Sequence, residues 1–316
     1  MARRHLFGPV PSRRLGRSLG IDLLARKTCT LDCVYCECGP TEELTLERRE
    51  FVPTRDVLDE LDALLADRPA LDSITFSGSG EPTLHSGIGK IINYLKDHYP
   101  EYPVTVLTNG TLLTDPAVRA ELARADRIVP SLDAVSDAAF AAVNRPHAGL
   151  DNTSVIDGLV LFREEYRGQF WLEIFLVPGL NDAPAELAAL AAAAGRIRPD
   201  RVQLNSLDRP PAYAGIVAPT PERLLELAAV LDAVLTPALG LQVEIVARQF
   251  VAVPPAAVPP DAARAVLDTL ARRPLTLADI TVQLNLHVHE AHKLVAHLVE
   301  TGQIARTGDF YTLTKV

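Results

Sequence analysis

From position 19 onward, short apolar runs alternate with longer amphipathic ones. The runs 20–24, 73–76, 104–107, 127–132, 170–177 and 201–204 read as strands, with 241–246 as a further one, and each is followed by a helical pattern. The helices are expected at 56–66, 88–98, 116–124, 153–166, 184–197 and 221–235, several opened by a proline at the first turn. Six β-then-α units predict an α/β fold with a parallel sheet, either an open doubly wound sheet or a full or partial (β/α) barrel. Both architectures place an active site at the C-terminal strand ends.

Residues 251–260 hold four prolines, which favours an extended connector and marks a domain boundary. Beyond it, 261–272, 277–284 and 288–301 read as helices, and 303–306 with 310–314 as a hairpin around Thr307-Gly308-Asp309. That order predicts a small winged helix-turn-helix domain over 261–316 after a first domain over 1–250. No internal repeat recurs at a fixed period.

The chain has 316 residues, is 48 % apolar and 22 % charged, and has a mean hydropathy of +0.12, a composition that excludes fibrous and disordered classes. No apolar run is long enough to span a membrane and no signal peptide opens the chain, so a cytoplasmic protein without a membrane partner is expected. The net charge of −9 is uneven: six Arg and one Lys against Asp22 make residues 1–27 a basic arm, whereas 28–260 are strongly acidic. A general nucleic-acid coat is disfavoured, although the arm could meet phosphate.

All four cysteines, Cys29, Cys33, Cys36 and Cys38, fall within ten residues, the mark of a metal or redox site rather than of scattered structural disulfides. Cys29, Cys33 and Cys36, spaced Cys-x3-Cys-x2-Cys, can hold three irons of a [4Fe–4S] cluster and leave the fourth open for another ligand. Structural zinc is the alternative, with Cys38 as fourth thiolate. The next strand end, Thr75-Phe-Ser-Gly-Ser-Gly-Glu-Pro-Thr83, brings a Gly-rich turn and a carboxylate to the same edge.

These motifs resemble the radical SAM superfamily, and the resemblance covers residues 6 to about 250. It implies a partial (β/α)6 radical-SAM barrel in which the open iron of the cluster chelates S-adenosylmethionine. Reductive cleavage would then yield a 5′-deoxyadenosyl radical that abstracts a substrate hydrogen. By the same resemblance, Tyr35 lies near the adenine, and Gly80 and Glu81 belong to a Gly-Gly-Glu element that holds the methionine amino group, with Ser79 in place of the first glycine. Thr108, Asn109, Ser131 and Asp133 would contact the methionyl or ribose part, and the segment from Val177 to Asn181 would lie near the adenine. Ordinary turns and helix caps are the alternative for these positions. The resemblance further implies an electron donor such as flavodoxin or ferredoxin. The opening segment and Cys36-Glu-Cys-Gly-Pro40 look like a subgroup related to wyosine-forming enzymes, which by analogy suggests an RNA substrate; a peptide is the other option.

Several positions stay open. Arg145 is a candidate to clamp a carboxylate, since its fork donates two parallel hydrogen bonds. Cys38 either packs under the loop as a small hydrophobe or faces the substrate. Gln203 and Asn205 share one face of their strand. His287, His289, His292 and His297 invite a metal reading but lack a clear third ligand. The rival function is an iron–sulfur sensor whose winged helix binds DNA, although its recognition helix offers Lys293 as its one permanent cation beside Glu290.

Overall fold

A computed structural model describes residues 4–12, 14–24, 27–207, 211–246, 262–270, 275–284, 288–307 and 310–314. The chain divides into two units, Met1–Val251 and Ala252–Val316. The first runs, in order, β1 (Leu6–Ser12), β2 (Gly16–Ile21), β3 (Thr28–Cys29), β4 (Glu43–Leu44), α1 (Thr54–Leu65), β5 (Ser73–Phe76), α2 (Ile88–His98), β6 (Val104–Thr108) and α3 (Pro116–Leu122). It continues through β7 (Arg127–Pro130), α4 (Asp137–Val143), α5 (Asn152–Glu165), β8 (Gln169–Phe175), α6 (Pro184–Ile197), β9 (Arg201–Asn205), α7 (Pro221–Leu239) and β10 (Val243–Ile245).

The main sheet has the order β1-β2-β5-β6-β7-β8-β9-β10. Every neighbouring pair is parallel except the β1–β2 hairpin. Alternation sends Ile74, Val106, Ile128, Leu172 and Leu204 to one face, where they share a core with Leu61 of α1, Ile92 of α2, Leu159 of α5 and Leu190 of α6. A doubly wound sheet would divide its helices between both faces. Here the core helices cover one face, so the sheet is a partial barrel.

The other, concave face is polar on one side. Ser18 bonds Thr75 at 2.7 Å, and Ser73 bonds Thr105 at 2.9 Å. On β8 and β9 this face carries Trp171, Glu173 and Asn205, and the Asn205 amide donates to Glu173 at 3.2 Å. Gln203 lies on the same face and donates to Glu244 at 3.1 Å.

The expected basic arm is a correction. Residues 6–12 and 16–21 form the antiparallel β1–β2 pair at the sheet edge, and Arg14 and Leu15, ahead of β2, reach the concave face: Leu15 packs with Val129 and Trp171, and Arg14 pairs with Glu173. The first strand therefore ends at Ile21, before the expected 24, and Leu23 and Leu24 are buried coil. Helix α4 was not foreseen; its signals are Ser136, which accepts from the Ala139 N–H as N-cap, and Asp137 in the first turn. Helix α7 runs past its expected end, through Pro237, to Gly240 in the left-handed region.

The second unit contains α8 (Ala262–Leu270), β11 (Leu275–Thr276), α9 (Leu277–Leu284), α10 (Val288–Glu300), β12 (Ile304–Thr307) and β13 (Phe310–Leu313), with a sheet of order β11-β13-β12. Val266, Ile280, Val295, Leu298 and Tyr311 form its own core. The proline-rich 251–260, His287, Gly308 and Asp309 lie outside the described residues, as do the side chains of His289, Glu290, His292 and Lys293; His297 is exposed. Among the described residues, no helix is long and apolar enough to cross a membrane.

Candidate active site

The loop after β2 carries the four cysteines, none of them disulfide-bonded. Main-chain bonds fasten it to the segment after β5 and to the end of α4: Thr28 N–H donates to Ser79 O at 3.2 Å, Glu81 N–H to Thr28 O at 3.1 Å, and Val34 N–H to Val143 O at 2.9 Å. Gly80 is required for the second of these approaches, because a Cβ there would sit 1.7 Å from the Thr28 carbonyl oxygen.

Each of the three spaced thiols meets a different nitrogen. The Asn109 amide lies 3.5 Å from Cys29 Sγ, the Asn144 amide 3.4 Å from Cys33 Sγ, and the positive charge of Lys27 favours the Cys36 thiolate. Burial pushes the Cys29 thiol up to about 11 and raises Cys33 as well. The neighbouring Cys38 thiol, helped by Lys27 and opposed by burial, pushes Cys36 down to about 5, and Cys38 itself is raised. Cys38 is exposed and donates to Gly78 O at 3.2 Å, which corrects the expectation that it packs beneath the loop. Among the described residues, no group of three or more Cys, His, Asp or Glu side chains is placed on a single ion. Three unbridged thiols, each faced by an N–H donor, fit ligands that carry the charge of an iron–sulfur cluster.

Glu81 is 2 % exposed, and its carboxylate is held by the chain's own donors. Its Oε1 accepts from Thr83 N–H at 3.0 Å, Thr83 O–H at 2.6 Å and Thr108 O–H at 2.7 Å, and its Oε2 accepts from Asn109 N–H at 2.7 Å. The carboxylate thus ties the end of β5 to the end of β6. Burial raises its pKa against those bonds.

Asp133, 3 % exposed, holds a second network. It accepts from the Tyr35 hydroxyl, from Asn144 Nδ2 at 2.8 Å and from Phe175 N–H at 2.9 Å, while burial pushes its carboxyl up to about 6. Tyr35 stacks on Phe175 with ring centres 3.8 Å apart and planes 8° from parallel. Asn181 is wholly buried and braces the turn after β8, donating to Asp133 O at 2.8 Å and Phe175 O at 2.7 Å and accepting from Val177 N–H at 2.8 Å. It is a structural residue, and Val177 lies in the apolar cluster with Val143 and Phe175. Ser131 is half-buried beside Asp133 and Asn109 on the wall of a small cavity. Arg145 is exposed and lies 4.1 Å over the Tyr213 ring, whose hydroxyl donates to Asp32, so the expected clamp on a carboxylate is not what this side chain forms.

The radical SAM family model matches residues 26–191, more than half of the chain and the whole span from the cysteine loop to α6. The chain belongs to the radical SAM superfamily. Membership makes it a radical SAM enzyme and implies binding of S-adenosylmethionine and an iron–sulfur cluster. It is 38 % identical over 206 residues to a protein of Brachyspira hyodysenteriae named GTPase Obg, covering 65 % of this chain but 30 % of that one. It is 40 % identical over 210 residues to a UPF0026 protein of Synechocystis, covering 65 % of this chain and 76 % of the relative. In fold it matches a radical SAM methyltransferase from Sphaerobacter thermophilus with a TM-score of 0.55 at 20 % identity, over 73 % of this chain and 66 % of that one.

Within this radical SAM site, sequence reasoning missed Lys27, Asn144, Phe175 and the Arg14–Glu173 pair. Phe175 and Glu173 were within reach, since alternation from Trp171 puts all three on one face. Asn144 caps the C-terminus of α4, and no spacing rule links it to Cys33, 111 positions away.

Proposed function

We propose that this radical SAM enzyme holds three irons of a [4Fe–4S] cluster through Cys29, Cys33 and Cys36, with the fourth iron open to S-adenosylmethionine. The observation that carries this reading is the gathering of three donor-faced thiols at the strand ends that also present Gly80, Thr108, Ser131 and Asp133. When bound, the cluster supplies the electron that cleaves S-adenosylmethionine to methionine and a 5′-deoxyadenosyl radical for hydrogen abstraction. The chain's own residues position the ligand and exclude water: Gly80 allows close backbone approach, the Tyr35–Phe175 stack offers an aromatic wall for the adenine, and Asn109 and Ser131 line the cavity beside it. Thr108 and Glu81 act by fixing the strand ends. Cys38 stays off the cluster, because a fourth thiolate would compete for the open iron.

A flavodoxin or ferredoxin is the electron donor in this reading, and the substrate is an RNA or a peptide, with the second unit as a winged-helix docking module. Anaerobic reconstitution should give about four irons per chain, and reduction with S-adenosylmethionine should release 5′-deoxyadenosine. An intact cluster with no cleavage would overturn the proposal, as would one zinc and no iron. Cys36→Ser should abolish iron binding while Cys38→Ser keeps it; equal loss in both would mean four protein ligands. Stimulation of turnover by an RNA pool or by a peptide pool separates the two substrate classes.

A further inference from the structure

Two asparagines stand behind two of the cysteines, and the chemistry around each amide fixes which end faces sulfur. Asn109 Oδ1 accepts from Thr111 N–H at 3.0 Å and from Thr111 O–H at 2.8 Å. A backbone N–H cannot accept a bond, so the amide cannot turn over, and its NH2 must face Thr30 Oγ1 at 2.8 Å and Cys29 Sγ at 3.5 Å. Thr30 and Thr111 hydroxyls lie 2.7 Å apart, closing a ring in which Thr30 donates to Thr111, Thr111 to Asn109 and Asn109 to Thr30. Asn144 is fixed by a different device. One of its N–H groups points at the Asp133 carboxylate at 2.8 Å, an acceptor, and this leaves the other for Cys33 Sγ at 3.4 Å.

Neither amide is needed to build the loop, whose main chain is already held by Thr28, Asp32 and Val34. Both are buried or half-buried, so water does not compete for the sulfurs on those sides. A hydrogen bond to a thiolate stabilises negative charge on sulfur and does so more strongly in the reduced cluster, which carries one more electron.

On the reading that Cys29 and Cys33 ligate the cluster, we infer that Asn109 and Asn144 are positioning residues that donate N–H···S hydrogen bonds to these two thiolates and raise the cluster's reduction potential. The amides thereby ease electron entry from the donor protein, at the cost of some driving force for the cleavage that follows. They come from the end of β6 and the end of α4 and share no partner, so their effects should add.

The test is an EPR-monitored redox titration of the reconstituted protein without S-adenosylmethionine, with iron content measured on every sample. Asn109→Ala and Asn144→Ala should each shift the midpoint to a more negative potential, and the double variant should shift it by about the sum of the two. Asn144→Thr, which keeps a weaker hydroxyl donor, should fall between Asn144→Ala and the wild type. Full iron content with an unchanged or more positive midpoint in both single variants overturns the inference while leaving the proposed function intact. Should a variant fail to hold iron, pulsed EPR on the reduced wild-type cluster with 15N-amide asparagine decides the question: couplings from side-chain nitrogen support the inference, and their absence overturns it. A wild-type protein that assembles no cluster overturns the proposed function and this inference with it.

Discussion

Glu81 and Asp133 are both buried carboxylates, and each stands behind one cysteine, but they reach it by different routes. Glu81 grips groups that the fold already fixes, namely two threonine hydroxyls and two backbone N–H groups at the ends of β5 and β6. Asn109 then extends from that fixed backbone toward Cys29. Asp133 accepts one backbone N–H, that of Phe175, and otherwise grips two side chains, Tyr35 and Asn144, which it aligns against Cys33 and the aromatic stack. Both acids are raised by burial, and Glu173 adds like-charge repulsion at Asp133. The same functional group therefore staples main chain on one side of the site and aims side chains on the other. A change at Glu81 should act mainly on stability, and one at Asp133 mainly on protonation and alignment.

The largest expected effect is at Glu81. Glu81→Ala removes four accepted hydrogen bonds and strands buried donors on two strand ends, so urea unfolding of the cluster-free protein should show a loss of roughly 3–5 kcal/mol. A loss below about 1 kcal/mol would erase the distinction between staple and aligner. Weaker S-adenosylmethionine binding in this variant would follow from displaced strand ends.

Asp133 gives a smaller effect with a definite sign in pH. Its folded pKa of about 6 lies above that of the unfolded chain, so its contribution to stability is fully present below about pH 4 and is lost as pH rises through 6. The difference in unfolding free energy between wild type and Asp133→Asn should therefore fall by on the order of 3 kcal/mol between pH 4 and pH 7. A difference that stays flat across that range would remove the buried-acid account. Carbon-13 NMR of labelled aspartate should show one carboxyl carbon titrating near pH 6.

Tyr35→Phe is the mildest test. It keeps the stack on Phe175 and deletes one donor to Asp133, which should cost about 1 kcal/mol and raise the Asp133 midpoint further. An unchanged Asp133 midpoint would show that the hydroxyl does not hold the carboxylate.

Much of this site is legible in the chain because it is local. The cysteines crowd one loop, and Gly80 and Glu81 end a strand whose alternation is plain. The parallel α/β sheet is legible too, since apolar strands alternate with amphipathic helices from 73 to 235, whereas that pattern alone fits a doubly wound sheet as well as a partial barrel. What stays hidden depends on contacts across the sheet. Nothing near Glu81 in the chain shows that Thr108, 27 positions on, donates to its Oε1. Asn144 carries no signal of its own, because only the packing of the seven-residue α4 brings it to Cys33. Arg145 suits a clamp by its two-pronged guanidinium alone, and nothing in the chain shows that its backbone, at φ 45°, places it over Tyr213.

The turn of the first hairpin has a consequence for how the chain is made. Arg14 meets Glu173 across 159 positions, and Leu15 settles against Trp171 from the same strand. On a ribosome moving at about 5–20 residues per second, the hairpin waits roughly 8–32 s before its partner strand emerges. During that interval the growing sheet exposes Leu107 and Val129 on its inner side, with Leu15 tethered nearby but lacking Trp171 to seal it. A segment made well before its partner is thus held back from its final place, and β8 is the strand whose synthesis lets it lock.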